Sequence, residues 1–437
     1  MSLVAERPLV PKRPPQSAEP SRLKRFFQSL GPGLITGASD DDPSGIGTYA
    51  VAGASLGYST LWTALVSFPM MTAVQFTCAK IGMVSGTGLA AVLCRRFPRP
   101  LVYAAVFALV LANTINAGAD IGAIAAAINL LVPISVPLLI VPIGAAILAL
   151  QILGSYKVIE GCFKWLTLGL LAYIGSSLFA HPDWTSVLWA TFVPQLSLNP
   201  GYVATLVAIF GTTISPYMFF WQPSQEVEEQ FDKGGVTQQQ RQGTTDAELK
   251  AARWDTRIGM FFSNAIMYFI ILATGATLFQ AGETHITSAA QAAEALRPLA
   301  GDAAALLLAI GLIGSGFLAV PVLTGSSAYA VAETRGWRWG LNRKFNEARG
   351  FYGVIIAGTV IGMLFNFIGI NPIDALFWTA VLNGFLAPPL LVLVMLVAND
   401  RQVMGQRTNG RWLNFLGWGT TVVMFAAAGG LVATWSQ

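Results

Sequence analysis

Long apolar stretches recur along this chain from Leu30 to its C-terminus. A helix needs about 20 apolar residues to cross a hydrocarbon core, because it rises about 1.5 Å per residue. A transmembrane β-barrel would instead show shorter segments of alternating hydrophobicity, and the sequence has no such alternation. Charged residues make up only 11% of the 437 residues, whereas soluble domains carry about 25%. The sequence therefore predicts an all-α membrane protein.

The apolar stretches predict eleven transmembrane helices, separated by charged connectors or by connectors that contain Pro and Gly. They span residues 30–56, 61–84, 101–131, 136–153, 158–178, 203–221, 258–279, 303–331, 352–370, 373–397 and 413–433. The chain divides accordingly into a tail, two groups of five helices and a last helix with its loop, at residues 1–28, 29–181, 182–400 and 401–437. We expect the basic, Pro-rich tail to be disordered and cytoplasmic, because it lacks the apolar region of a signal peptide.

The positions of Lys and Arg predict the orientation, because cytoplasmic loops collect positive charge. With the N-terminus inside, only Arg297 of the 26 basic residues falls on the outer side. If one helix were added to or removed from this count, these charges would be scattered over both faces of the membrane. We therefore expect an inner-membrane protein with a cytoplasmic N-terminus and an external C-terminus. The net charge of +4 follows from the same rule, and nucleic-acid binding is not implied.

Three consecutive acids and a proline interrupt the first predicted helix, in GPGLITGASDDDPSGIGTYAVAGA. An aspartate at the centre of a membrane helix costs roughly 2.5–3.5 kcal/mol, so buried acids usually face a wet cavity, a cation or a proton path. Asp41 and Asp42 are therefore candidates for an ion site and its path. An alternative interpretation begins the span after Pro43 and leaves the acids in a loop at headgroup level. It gives the preceding GPGLITGAS no role.

A second break is predicted in the sixth helix, in LVAIFGTTISPYMFFWQPS. Pro216 has no backbone N–H and frees a carbonyl four residues upstream, while Thr212 and Ser215 add hydroxyl oxygens. Prolines also kink ordinary membrane helices, but this break lies at the position that corresponds to the first break. Paired breaks are typical of inverted-repeat transporters, whose site lies near the bilayer midplane. We therefore expect residues 29–181 and 182–400 to be inverted repeats.

The residues around both breaks resemble the Nramp family of proton-coupled divalent metal transporters. DPSGIGTYAVAGA, which begins at Asp42, aligns with the first-helix motif DPGN, and GTTISPYMFFWQPS aligns with the sixth-helix motif that contains MPHN. AKIGMVSGTGLA and VLNGFLAPPLLVLVMLVANDRQVMG also resemble the family. The resemblance covers the helical core. It implies a LeuT-type fold with helices 1 and 6 broken at midplane, a divalent metal ion as the substrate, and no cofactor.

The resemblance also assigns the metal site. Asp42 falls on the metal-binding aspartate of the family, and Gly45 falls on its metal-binding asparagine. Thr212 falls on an alanine that offers its backbone carbonyl, and Ser215 on a methionine whose thioether selects soft metals. Ala380 falls on a tenth-helix glutamine that joins the ion's ligands in closed states. Only oxygen donors remain, which suits Mg²⁺ and Mn²⁺, and the small side chains leave room for partly hydrated Mg²⁺. This is the pattern expected of Nramp-related magnesium transporters; the alternative is a site that has lost its metal affinity.

The proton-transfer residues of the family are largely missing. Its two sixth-helix histidines fall on Tyr217 and Gln222, and its third-helix acid pair falls on Ala117 and Asp120. The two histidines of the chain lie in predicted outer connectors, so no histidine in the membrane can relay protons near neutral pH. We expect metal uptake without proton coupling.

Two further polar features lie away from the two helix breaks. Asp120 belongs either to a cation or proton path, or to a hydrogen bond within the bundle with Asn113, Asn116 or a neighbouring hydroxyl. The acidic run at 226–229, after the sixth predicted helix, is interpreted as a solvated inner face.

Other classes of function remain open. The DDDP motif resembles acid pairs that bind Mg²⁺ in phosphoryl-transfer enzymes, but no other predicted span offers a second acid cluster or a nucleophile. A sensor that binds an ion without moving it is the third class. Among carriers, a proton-coupled Mn²⁺ or Fe²⁺ transporter and a LeuT-type carrier of another solute are the alternatives. We expect a transporter and not an enzyme, present in the lipid bilayer as a monomer or weak oligomer.

Overall fold

The computed structural model describes residues 32–154, 167–232, 234–235 and 237–435. The predicted tail and the first part of the fifth predicted helix lie outside these residues. Within them, nine helices are long and apolar enough to cross a membrane. The prediction of an all-α membrane protein is confirmed.

In the described part of the chain, fifteen helices of eight or more residues form the bundle. In chain order they are α1 Pro32–Asp40, α2 Pro43–Leu56, α3 Trp62–Ser85, α4 Leu89–Arg96, α5 Arg99–Leu131, α6 Val136–Leu153, α7 Ala172–Phe179, α8 Trp184–Phe192, α9 Pro200–Thr213, α10 Pro216–Asp232, α11 Asp246–Thr274, α12 Ala304–Arg335, α13 Arg349–Phe365, α14 Pro372–Ala398 and α15 Arg411–Trp435. Helices α10 and α11 extend well beyond the predicted spans. The short helices α4 and α8 lie in predicted connectors, where apolar runs are too short to signal a membrane span.

Both predicted helix breaks are present. Helix α1 ends at Asp40 and α2 begins at Pro43, with Asp42 as the N-cap residue between them. Helix α9 ends at Thr213 and α10 begins at Pro216. A proline at the first helical position costs no hydrogen bond, because the N–H at that position has no partner within a helix. Each proline therefore starts the second half of its broken helix.

Close glycine contacts hold α1 against α11. A Cβ atom added at Gly37 would lie 2.4 Å from the carbonyl carbon and oxygen of Gly259, so only glycine allows this approach. The Gly33 amide donates a hydrogen bond of 2.7 Å to Oδ2 of Asp255. Membrane helices associate through such close packing and polar contacts, because lipid tails are as apolar as the helices themselves.

Three predicted inner connectors meet at one end of the bundle. Arg96, at the end of α4, forms an ion pair with Asp400, which follows α14. Arg407, farther along the same connector, pairs with Asp246 at the start of α11. The contacts agree with the predicted grouping of these connectors on one side.

The interpretation of the 226–229 run as a solvated face is wrong for two of its acids, because Glu226 and Glu228 are both buried. Oε1 of Glu228 accepts hydrogen bonds from the Tyr329 hydroxyl, at 2.5 Å, and from the Leu341 amide, at 2.7 Å. These partners lie on α12 and in the connector after it, more than 100 residues away in sequence. The acidic run therefore ties α10 to α12.

Candidate metal site

The three consecutive acids lie inside the bundle. Asp40, Asp41 and Asp42 are 0%, 2% and 1% exposed, and α1 forms a buried helical turn before them. The alternative interpretation, a loop at headgroup level, does not agree with this arrangement. The acids lie between two half-helices, as the position of Pro43 predicts.

Asp42 points toward α5 and the start of α2. Its Oδ1 accepts hydrogen bonds from the Gly45 amide, at 2.6 Å, and from the Ser44 hydroxyl, at 2.9 Å. Its Oδ2 accepts a hydrogen bond of 3.1 Å from Nδ2 of Asn116 on α5. These neutral donors fix the carboxylate but do not compensate its charge, so a cation at this point would be stabilised.

Asp40 and Asp41 face α11 instead. The Ser263 hydroxyl lies 2.6 Å from Oδ2 of Asp40 and 3.2 Å from Oδ1 of Asp41. Among the described residues, no three His, Cys, Asp or Glu side chains are grouped so that they could hold a metal ion. Asp42 therefore has no two further acidic, histidine or cysteine side chains grouped with it within the described residues, and Asp41 contacts α11.

Helix α9 brings the Thr212 hydroxyl to the same point. A Cβ atom added at Gly45 would lie 3.0 Å from Oγ1 of Thr212 and 3.3 Å from Oδ1 of Asp42. The structure thus brings together three of the residues that the sequence singles out. It places a hydroxyl oxygen beside the carboxylate, where any side chain at position 45 would begin.

Ser215 lies within the second break. Its hydroxyl donates toward the Thr212 carbonyl, at 2.6 Å, and lies 3.0 Å from the Gly211 carbonyl. A carbonyl oxygen has two lone pairs, so the Thr212 carbonyl can accept this bond and still bind an ion. The side chain at 215 offers oxygen and no sulfur.

Ala380 has a packing contact in the structure. Its side chain is buried, and its backbone carbonyl oxygen lies 2.1 Å from the position of a Cβ atom at Gly211. Residue 380 therefore sets the close approach of α14 to α9, and its methyl group offers no ligand atom.

Tyr217 and Gln222 connect α10 to α1. The Tyr217 hydroxyl donates a hydrogen bond of 2.9 Å to the Ser39 carbonyl. Gln222 accepts a hydrogen bond from the Thr36 hydroxyl and donates one of 3.0 Å to Oε1 of Glu226. Neutral groups thus join the two half-helices at these positions.

Asp120 does not make the hydrogen bond within the bundle that one interpretation expected. Asn113 donates instead to the Leu323 carbonyl and the Ser327 hydroxyl of α12, and Asn116 donates to Asp42. The contact between Asn116 and Asp42 was not predicted. The only indication of this contact in the sequence is that Asn116 is a polar residue on an apolar helix, close to Asn113 and Asp120.

Known proteins resemble this chain over most of its length. The profile of the natural resistance-associated macrophage protein-like (Nramp) family matches residues 33–434. The divalent metal cation transporter MntH of Klebsiella pneumoniae strain 342 is 27% identical over 412 residues, which cover 92% of this chain and 93% of the relative.

Solved structures share the fold. The manganese transporter of Eremococcus coleocola, in complex with an aromatic bis-isothiourea compound, superimposes with a TM-score of 0.71 at 17% identity, over 95% of this chain and 87% of its own. Mhp1, a nucleobase-cation-symport-1 family transporter, superimposes in its closed conformation with a TM-score of 0.58 at 14% identity, over 93% and 90%.

Proposed function

Because the chain belongs to the natural resistance-associated macrophage protein-like (Nramp) family, we propose that it carries divalent metal ions across a membrane by alternating access. Its fold is of the LeuT type, in which we infer that the groups 29–181 and 182–400 are inverted repeats. The homologues of known function are membrane metal transporters and not enzymes. The ion would be held at the two helix breaks.

We propose Mg²⁺ as the preferred ion, with Mn²⁺ also accepted. One observation carries this choice: the Thr212 hydroxyl lies beside Asp42 and Gly45, which has no side chain. Ser215, in the second break, likewise carries a hydroxyl and no sulfur. Hard cations prefer such ligands, and Mg²⁺ keeps several waters that need room. Asp42, Gly45, Thr212 and Ser215 would form the site.

We propose further that protons are not carried along. Tyr217 and Gln222 make neutral hydrogen bonds to α1, at the positions where the resemblance places histidines. A dication entering a cell with a negative interior is driven by the membrane potential alone. We infer that the N-terminus is cytoplasmic and the C-terminus external, because the basic connectors meet at one end.

A flux assay tests the transport function. The purified protein is reconstituted into liposomes, and Mg²⁺ entry is followed with an internal magnesium-sensitive dye. We expect entry that saturates with Mg²⁺ and that Mn²⁺ inhibits. A protein that binds Mg²⁺ without any flux under an inward-directed potential would be a sensor and would contradict the proposal.

A further inference from the structure

Two buried side chains of α5 carry oxygen atoms without a hydrogen-bond partner in the described part of the chain. Neither carboxylate oxygen of Asp120 has a hydrogen-bond partner within the described part of the chain, and the same is true of Oδ1 of Asn116. Both residues are 0% exposed. The Ser44 amide points toward the Asp120 carboxylate but does not reach hydrogen-bonding geometry. Buried acceptors without donors are costly, and a carboxylate is the costliest of them.

Both side chains belong to the face of α5 that meets Asp42. Asn116 and Asp120 are four residues apart on one helix, so their side chains are neighbours on the same face. Nδ2 of Asn116 donates to Oδ2 of Asp42, and the charges of Asp42 and Asp120 act on each other. Asn113, the other amide nearby, donates its hydrogen bonds to α12 and not to Asp120.

A bound cation would satisfy every member of this juxtaposition. Asp42 and Asp120 repel each other when both are ionised, and a cation between them compensates both charges. The free Oδ1 of Asn116 adds a neutral oxygen on the same side. Two carboxylates and an amide oxygen are ligands suited to Mg²⁺, Mn²⁺ and Ca²⁺.

We propose that Asp120 and Asn116 form the α5 half of the cation site, so that a divalent ion is bound between Asp42 and α5. The proposal rests on the proposed function, because it assigns further ligands to the same ion. Two carboxylates carry two negative charges, which one dication neutralises and one monovalent cation does not. Asp120 therefore determines the preference for divalent over monovalent ions.

The test measures the binding of a divalent probe directly, at one fixed pH. Mn²⁺ serves as the probe, and its binding to the purified full-length protein is measured by electron paramagnetic resonance and by calorimetry. We expect Asp120→Asn to weaken Mn²⁺ binding by about tenfold or more, and Asn116→Ala to weaken it by a smaller factor. Mg²⁺ should displace Mn²⁺ from the wild type.

The matched control is Asn129→Ala, a substitution of an exposed amide on the same helix, which should bind as the wild type does. Wild-type affinity in both Asp120→Asn and Asn116→Ala would overturn the inference. If Asp120→Asn fails to fold, Asn116→Ala alone decides. Asp42→Ala distinguishes a failure of this inference from a failure of the proposed function. Wild-type affinity in that variant would contradict the proposed function itself.

Discussion

The Thr212 hydroxyl lies where a side chain at position 45 would begin, 3.0 Å from the Cβ atom that Gly45 lacks. The glycine on α2 and the threonine on α9 therefore form a complementary pair across the two helix breaks. Together they place a hydroxyl oxygen beside Asp42, and position 45 contributes no side-chain amide. A larger side chain at position 45 would therefore press against the Thr212 hydroxyl.

The first prediction concerns metal preference. Wild-type protein should transport Mg²⁺, with Mn²⁺ as a competing substrate, and should not favour Cd²⁺, because no thioether is present at Ser215. Gly45→Asn with Ser215→Met should shift preference toward Cd²⁺. Adding Thr212→Ala should strengthen this shift, since it removes the atom nearest the new side chain. Competition between ions in the liposome flux assay measures the order.

Thr212→Ala alone is the control for the added substitution and should not create a preference for Cd²⁺. The idea of an oxygen-only site would be wrong if the wild type bound Cd²⁺ far more tightly than Mg²⁺.

The second prediction concerns Asp42. Asp42→Ala should abolish metal transport and leave the protein folded, because the carboxylate is the charged group whose hydrogen bonds hold it at the break. Flux in liposomes and the elution profile of the purified variant are measured together. Asp302→Ala, which removes an exposed acid in a connector, should keep wild-type flux. Wild-type rates in well-folded Asp42→Ala would refute the assignment.

The third prediction concerns coupling. We expect metal uptake without accompanying proton entry, because Tyr217 and Gln222 are neutral and hydrogen-bonded to α1. At about −100 mV, an entering dication gains about 4.6 kcal/mol, from roughly 2.3 kcal/mol per charge, which suffices for strong accumulation. Metal influx and internal acidification are recorded simultaneously in liposomes at a fixed potential.

Stoichiometric acidification during uptake would contradict this expectation. If the acidification also disappeared in Asp120→Asn, a single acid on α5 would be sufficient for coupling.

The fourth prediction concerns the contact of α1 with α11. Gly37→Ala should lower the free energy of unfolding by about 1–3 kcal/mol, because the new methyl group meets the Gly259 backbone at 2.4 Å. Gly419→Ala is the matched control on α15, since a Cβ atom there meets nothing within 4 Å. It should leave stability unchanged or raise it slightly, as alanine favours helices. Thermal unfolding in detergent compares the two, and equal melting temperatures would disprove the close contact.

Local chemistry made the helix breaks predictable. Pro43 and Pro216 cannot continue a helix, and acids inside an apolar span need a polar surrounding, so both breaks follow from neighbouring residues. The residues that contact the acids from across the bundle cannot be predicted in this way. Ser263 and Asn116 reach the first break from α11 and α5 through helix rotations that a single sequence does not specify.

The burial of Glu228 was missed for a related reason. Acids just beyond an apolar span are usually solvated, and nothing close in sequence indicates the hydroxyl and amide that receive this carboxylate. The extent of α10 was underestimated with it, because a buried polar helix end lacks the apolar pattern on which the predicted span depends.

The contact of Gly37 with Gly259 also affects how fast α1 and α11 can separate. Two backbones that touch without side chains between them have no interlocked rotamers to rearrange when they part. Separation of the two helices would break the hydrogen bond from Gly33 to Asp255 and those from Ser263 to Asp40 and Asp41. If α1 leaves α11 during the transport cycle, the barrier would come mainly from these hydrogen bonds and from lost dispersion contacts, and not from the rearrangement of interlocked side chains.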